Sequence, residues 1–281
     1  MIAIIGGTGT VGSQVAHQIS AAGTKFRMLA RSPEKALKAD TVEVVKGDTS
    51  DAAAIDKLLA SATKLFLLIP SVRGSVETAN KIFEAAKKAG VKHVVRLSVI
   101  GADVKSGLQI GRWHGEIEAA LKSSGLAWTM LQPGGFTQNL LASVATIKKD
   151  GAFYGATGEA KFCPIDARDI AAVAVKALTS SGHEGKSYIL TGQEPLSNAE
   201  IATKLSAAIG KPVRYVNLSA DQLKQGMLSA GLPEFMASDL ATLQGWIAGG
   251  GMAKPDPTLA MLIGRTRNFD DFLATNAAAF K

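Results

Sequence analysis

Short, mostly apolar runs alternate with stretches of helical periodicity through the first half of the chain. Ile2–Ile5, Phe26–Ala30, Val42–Lys46, Leu65–Ile69, Val94–Leu97 and Trp128–Leu131 are the runs. Near-continuous apolar runs of this length mark parallel strands buried on both faces. Between the first two, Val15, Ala16, Ile19 and Ala22 recur at helical spacing and stop at Gly23, a plausible C-cap. A second helix is predicted over about Val76 to Ala89, stopping at Gly90. A third carries Trp113 to Leu121 and ends near Gly125. Six strands with intervening helices predict an α/β fold built on a doubly wound parallel sheet.

The second half is less regular. Phe162–Asp166 predicts a short strand, Asp166 or Asp169 starts a helix through Leu178, and Tyr188–Leu190 predicts another strand. Asn198 is placed as the N-cap of a helix to Ile209. Val213–Val216 is extended, and two or three helices follow between Ala220 and Gly249. Gly249–Gly251 and the Pro255–Pro257 step then break the chain. The expected organisation is a first domain over residues 1–150 and a smaller C-terminal α+β lobe over 151–281 that covers the first domain's crevice. The two are interleaved and the boundary is approximate.

Composition narrows the class. The chain is 47% hydrophobic and 20% charged, with a single cysteine, Cys163, which suits a reducing cytoplasmic setting. Cys163 lies in an apolar run with no neighbouring histidine in sequence, so a buried thiol is expected rather than a nucleophile. No apolar stretch approaches the roughly 18 residues of a membrane span, so no membrane partner is expected. The net charge of +7 would allow nucleic acid, but the densest patch (Lys87, Lys88, Lys92, His93, Arg96) is modest. It is expected to be a solvated basic face, with no nucleic-acid partner. The histidines His17, His93, His114 and His183 show no metal-ligand spacing, so no metal is expected. A monomer or homodimer is the expected state.

The chemistry is concentrated at the first apolar run, which passes straight into Gly6-Gly7-Thr8-Gly9-Thr10-Val11-Gly12 and then into a helix. Strand, glycine turn and helix in that order are the dinucleotide-binding arrangement of a Rossmann-type fold. Glycine lets the backbone turn tightly and approach a ligand closely, and the helix start offers N–H groups and a positive dipole end to a pyrophosphate. At the second strand tip, where an NAD site usually places an acid for the ribose 2′-hydroxyl, the chain has Arg31. A guanidinium can pair bidentately with a 2′-phosphate, and Ser32 and Lys35 could add donors, so NADP(H) is the expected cofactor. Asp48 and Thr49, after the third run, are placed to meet an adenine ring. Ser50 or Asp51 N-caps the helix that follows.

These features, with His114 and Glu118, Gln132 through Phe136 to Asn139, Asp166 to Ala171 and Leu190-Thr191-Gly192, resemble the NmrA-like branch of the atypical short-chain dehydrogenases over nearly the whole chain. That resemblance implies NADP(H) binding with a small substrate lobe. Members include NADPH-dependent quinone, triphenylmethane dye and azo dye reductases, and also redox-sensing regulators that bind the dinucleotide and act through a protein partner. Carried onto this chain, it places Gly6, Thr8, Gly9, Thr10, Val11 and Gly12 around the pyrophosphate and Arg31 at the 2′-phosphate. Ile69, Pro70 and Ser98 would line the nicotinamide channel.

One departure restricts the chemistry. Conventional short-chain dehydrogenases use a Tyr-x-x-x-Lys pair as the acid. Aligned on Glu118, this chain has Ile110 at the tyrosine position and His114 at the lysine position. The expected function is therefore hydride transfer from NADPH to a flat conjugated acceptor, a small aromatic or quinonoid substrate, that does not need the tyrosine. His114 is the candidate proton donor in that segment; a structural role, hydrogen-bonding Ser98 or the ribose, weighs equally. Phe136, Asn139, Phe153 and Trp246 are candidate substrate-pocket residues, since aromatic faces suit stacking on a flat acceptor. For each one singly, core packing is the stronger expectation.

Overall fold

The computed structural model describes residues 1–281. In chain order the elements are β1 (Ile2–Ile5), α1 (Thr10–Ala21), β2 (Phe26–Ala30), β3 (Val42–Lys46), α2 (Ala52–Leu59), β4 (Lys64–Leu67), α3 (Ser75–Lys88), β5 (His93–Leu97), α4 (Gln109–Ser123) and β6 (Ala127–Pro133). They continue with α5 (Val144–Asp150), β7 (Ala152–Gly155), α6 (Ala167–Thr179), β8 (Lys186–Leu190), α7 (Asn198–Ile209), β9 (Arg214–Asn217), α8 (Ala220–Ser229), α9 (Glu234–Ala248), α10 (Thr258–Ile263) and α11 (Phe269–Asn276). No helix is long and apolar enough to cross a membrane.

The chain forms two compact units, and both are discontinuous in sequence. The first takes Met1–Pro133 and Ala167–Ile189; the second takes Gly134–Asp166 and Leu190–Lys281. The two units interleave along the chain, which passes between them more than once rather than at one point near residue 150. Residues 134–150 go with the later part, and α6 returns to the first unit.

The first unit holds a seven-stranded sheet in the order β3-β2-β1-β4-β5-β6-β8. The register is parallel from β3 to β6, with Ala3 beside Arg27 on one side and Leu65 on the other. After β3 the chain crosses back to the far side of β1, so strand order reverses between β1 and β4. Ligands in such sheets bind beyond the carboxyl ends of the strands at that reversal.

Alternation along the strands sends side chains to two cores. Ala3, Ile5, Leu65, Leu67, Val94 and Met130 pack with Ile55 and Leu58 of α2, Ile82 and Phe83 of α3, and Ile117 and Leu121 of α4. The opposite face carries the fully buried Ile4, Met28 and Phe66, and α6 packs on α1 and on the central strands there. The seventh strand, β8, extends the sheet beyond the six expected.

In the second unit β7 pairs with β9 in parallel, Phe153 beside Tyr215. Its core joins Phe153, Ile201, Leu205, Phe269, Phe272 and Phe280. The strand expected over Phe162–Asp166 is present only as two isolated bridges, Phe136 to Ile165 and Phe162 to Leu196. The cap of α7 is Ser197, not Asn198. Ser197 Oγ accepts from the Glu200 amide at 3.2 Å, and the Glu200 carboxylate accepts from the Ser197 amide at 2.8 Å. That reciprocal box satisfies two orphan donors where Asn198 alone would satisfy one. At α2 the cap is Asp51, whose carboxylate accepts from the Ala54 amide.

Truncating Phe66, which has no exposed surface, is expected to cost about 3–5 kcal/mol as Phe66→Ala, against about 1 kcal/mol for Ser197→Ala. Urea unfolding of the two variants and the parent protein measures both.

Candidate functional site: a glycine-walled cleft and a buried arginine–histidine–serine chain

Gly6 has φ +84°, and a Cβ there would run into the carbonyl oxygen of Leu68. A Cβ on Gly12 would strike the carbonyl of Gly6. These two glycines let β1 turn into α1 with backbone against backbone. Gly9 differs. Its φ of −85° suits any residue, and a Cβ there would approach nothing closer than the Gly6 carbonyl oxygen at 3.5 Å, an ordinary contact. The fold leaves room at Gly9, so the space serves something outside the chain.

Gly9 is also the N-cap of α1. It supplies no side-chain cap, and no acidic residue stands in the first turn. The first N–H groups of α1 and its positive dipole end therefore face that space without a protein anion. This is the cradle a pyrophosphate requires.

The space belongs to a cleft of about 440 Å³ lined by Gly6, Thr8, Gly9, Ala30, Arg31, Asp48, Thr49, Leu68 and Pro70, with Ile5, Leu29, Gly47 and Ser50. Strand tips β2, β1 and β4 thus contribute to one wall. Arg31 is exposed on it. Across from Arg31, Asp48 Oδ1 accepts from the Ser50 amide at 2.7 Å and from Ser50 Oγ at 2.6 Å. Those bonds, with the Arg31 charge adding to them, hold the Asp48 carboxyl below its usual range. Asp48 is fixed as an acceptor.

Of the cofactor residues expected from sequence, Gly6, Thr8, Gly9, Arg31, Asp48, Thr49 and Pro70 come together in the cleft. Thr10, Val11 and Gly12 form the first turn of α1. Ser32 and Lys35 follow in a 3₁₀ turn and, like Ile69, are not part of the cleft wall.

Ser98 is 1% exposed and faces inward. Its hydroxyl donates to Glu118 Oε1 at 2.6 Å; Gln132 Nε2 donates to the same oxygen at 2.9 Å, and Lys122 Nζ lies 3.4 Å from Oε2. His114, one helical turn before Glu118, lies with Nδ1 3.4 Å from Ser98 Oγ and leads from it into a second chain. Arg96 Nη2 is 3.0 Å from His114 Nδ1, and His114 Nε2 is 2.8 Å from Ser71 Oγ.

Burial and the Arg96 charge push the His114 pKa down to about 3, and burial lowers that of Arg96 to about 10. His114 is neutral across the physiological range. This argues against the proton-donor role weighed from sequence and for the positional one.

The remaining expected residues lie in the second unit. Phe136 is half-buried on the bridge to Ile165, Asn139 is exposed in a 3₁₀ segment, and Trp246 is 49% exposed on α9. Phe153 is buried: at 4% exposure, its ring packs 5.5 Å from that of Tyr215 in the core.

Two residues of the site, Arg96 and Ser71, escaped the sequence reading. Arg96 and His93 were counted in a solvated basic patch, yet they are 1% and 2% exposed. The available signal was position, since a charge inside Val94-Val95-Arg96-Leu97 falls in a strand with no solvent face. Ser71, beyond the β4 tip, carried no signal of its own.

An acid limb in stability follows from His114. The unfolded ring takes up a proton near pH 6.5, whereas the folded ring does so only near pH 3. Between those values the unfolded state holds more protons, so stability falls as pH is lowered; above the upper value the contribution is constant. The slope approaches about 1.4 kcal/mol per pH unit. In urea unfolding between about pH 8 and pH 4, His114→Gln is expected to flatten the limb by that amount.

Residues 1–271 match the model of the NmrA-like family. Over 283 aligned residues the chain is 43% identical to the NAD(P)H azoreductase of Xenophilus azovorans, covering 100% of this chain and 99% of that protein. The crystal structure of an Escherichia coli NADPH-dependent quinone oxidoreductase complexed with NADPH superposes with a TM-score of 0.86 at 33% identity, covering 98% of this chain and 99% of that one. The Citrobacter sp. triphenylmethane reductase complexed with NADP(H) gives 0.83 at 27% identity, covering 97% and 98%. By family model, by sequence identity along its full length and by fold, the chain belongs to the NmrA-like family.

Proposed function

We propose that the protein is an NADPH-dependent reductase that transfers hydride to a flat conjugated acceptor of the quinone, azo dye or triphenylmethane dye class. The observation that carries this reading is the uncapped start of α1 beside the open space at Gly9, on the same cleft wall as Arg31. Relatives named as an NAD(P)H azoreductase, a quinone oxidoreductase and a triphenylmethane reductase point to the same chemistry.

When bound, NADPH supplies the hydride. The chain's own residues hold and orient it. Gly9 and the first N–H groups of α1 receive the pyrophosphate, Arg31 pairs with the 2′-phosphate, and Asp48 accepts from the adenine amine. Ile110 offers no proton, and His114 is neutral with its Nδ1 already engaged. The proton that completes quinone or azo reduction is left to water reaching the acceptor; a cationic dye is neutralised by the hydride itself and needs none. Quinones, azo bonds and cationic dyes suit such a site because they accept hydride at an electron-poor centre without an acid already in contact.

Turnover of an acceptor panel, followed by loss of the reduced-nicotinamide absorbance, tests the reading. Tight NADPH binding without turnover of any acceptor would favour a regulator acting through a protein partner instead. The cofactor assignment is tested separately. Arg31→Ala is expected to weaken NADPH binding by about 1.5–3 kcal/mol, the loss of a charge-assisted hydrogen bond, while NADH binding changes little. Equal losses for both would remove Arg31 from the 2′-phosphate.

A further inference from the structure

Hydrogen bonds between Arg96, His114 and Ser71 have a direction, and it is set from inside the protein. A guanidinium only donates. The 3.0 Å contact from Arg96 Nη2 therefore makes His114 Nδ1 an acceptor. A neutral imidazole that accepts at Nδ1 carries its proton on Nε2. Nε2–H then donates to Ser71 Oγ at 2.8 Å. The Ser71 hydroxyl accepts from the ring, so its own proton points away from the ring.

Ser98 offers the contrast. Its proton goes inward to Glu118 at 2.6 Å, its oxygen lies 3.4 Å from His114 Nδ1, farther than Arg96 Nη2 at 3.0 Å, and the residue is 1% exposed. Ser71 is only half-buried, and it directly follows Pro70, a residue of the cleft wall. One serine at this sheet edge donates into the protein and the other donates out of it.

Sheet order says which part of a bound dinucleotide Ser71 meets. Along the carboxyl edge the strands run β2, β1, β4, β5. Arg31 ends β2, the glycine turn ends β1, and Ser71 lies past β4. Ser71 is thus on the opposite side of the pyrophosphate cradle from the 2′-phosphate group, where the nicotinamide ribose and carboxamide extend.

Arg96 is an expensive way to fill a core. It is 1% exposed, and its Nε and Nη1 have no hydrogen-bond partner in the chain. The carboxylate of Glu118 offsets its charge electrostatically. An aliphatic residue would fill the same strand position without that desolvation, so Arg96 has a role beyond filling space.

We propose that Arg96 is a positioning residue which, through the neutral Nε2–H tautomer of His114, sets the Ser71 hydroxyl as a hydrogen-bond donor to an oxygen of the nicotinamide-ribose half of the dinucleotide. The proposal rests on the reading of the cleft as a dinucleotide site. It makes Ser71 a ligand-orienting group and His114 the rigid link behind it.

Two measurements test it, neither needing turnover. In the first, nitrogen-15 spectra of histidine-labelled protein, assigned against His114→Gln, report the ring tautomer without any ligand. The expected result is a neutral Nε2–H ring that does not change between about pH 8 and pH 5.5. An Nδ1–H ring, or one that titrates in this range, overturns the proposal. Arg96→Met is expected to release the tautomer; if that variant does not fold, the parent spectrum still decides the point.

In the second, calorimetry compares NADP⁺ with adenosine 2′-phosphate 5′-diphosphate, which lacks the nicotinamide-ribose half. Ser71→Ala and His114→Leu are expected to lose roughly three- to tenfold in NADP⁺ affinity, and His114→Gln, whose amide can both accept and donate, to recover most of it. Affinity for the fragment should stay unchanged in all three. Equal losses for both ligands, or no loss for NADP⁺, overturn the proposal. A parent protein that binds neither ligand overturns the dinucleotide reading itself, an outcome distinct from the other two.

Discussion

The close approach of Gly12 to the carbonyl of Gly6 is the constraint on which the site depends. Because neither residue has a Cβ, α1 starts within a few residues of the end of β1 and lies directly over the sheet. A looser turn would carry the helix start away from the strand tips, and its dipole would no longer converge with Arg31 and Asp48 on one space. The reversal of strand order at β1 and β4 supplies the space; the glycine turn aims the helix at it.

Much of this was legible from the chain alone because it is local. A strand, a glycine turn and a helix are adjacent in sequence, so spacing and residue type sufficed to place Gly6, Gly9 and Gly12 in one turn and Arg31 at the next strand tip. What spacing could not reveal was pairing across the fold. Arg96, His114 and Ser71 are far apart in sequence and meet only because β5, α4 and the β4 tip converge. Ser98, which the resemblance alone would place on the nicotinamide channel, has its hydroxyl turned inward to Glu118. Phe153, for which core packing was the stronger expectation, is buried against Tyr215 and the phenylalanines of α11, a partnership that spacing does not show. Cap choice failed for a related reason, since Ser197 outcompetes Asn198 only when Glu200 closes the box from the other side.

The second unit is built by different means from the first. Its two-stranded sheet is too small to make a core, so α7 and α11 provide most of the apolar surface around Phe153. Polar side chains then fix the loop after β7. Tyr215 accepts from the Thr157 amide through its hydroxyl and donates to Asn217, and Gln244 accepts from the Ala156 amide. Such side-chain-to-backbone bonds stand in for the ladder that a larger sheet would supply.

The return of residues 167–189 to the first unit has a consequence for how the protein is made. During synthesis β1 to β6 emerge first, but α1 and the sheet face beneath it lack α6 until another thirty or so residues, all of the second unit, have followed. An apolar face that includes Ile4, Met28 and Phe66 is left incompletely covered through that interval. The nascent chain is thus most exposed to misassociation after the whole glycine turn has already been translated, and a pause in translation before residue 167 would lengthen that exposure more than one after residue 190.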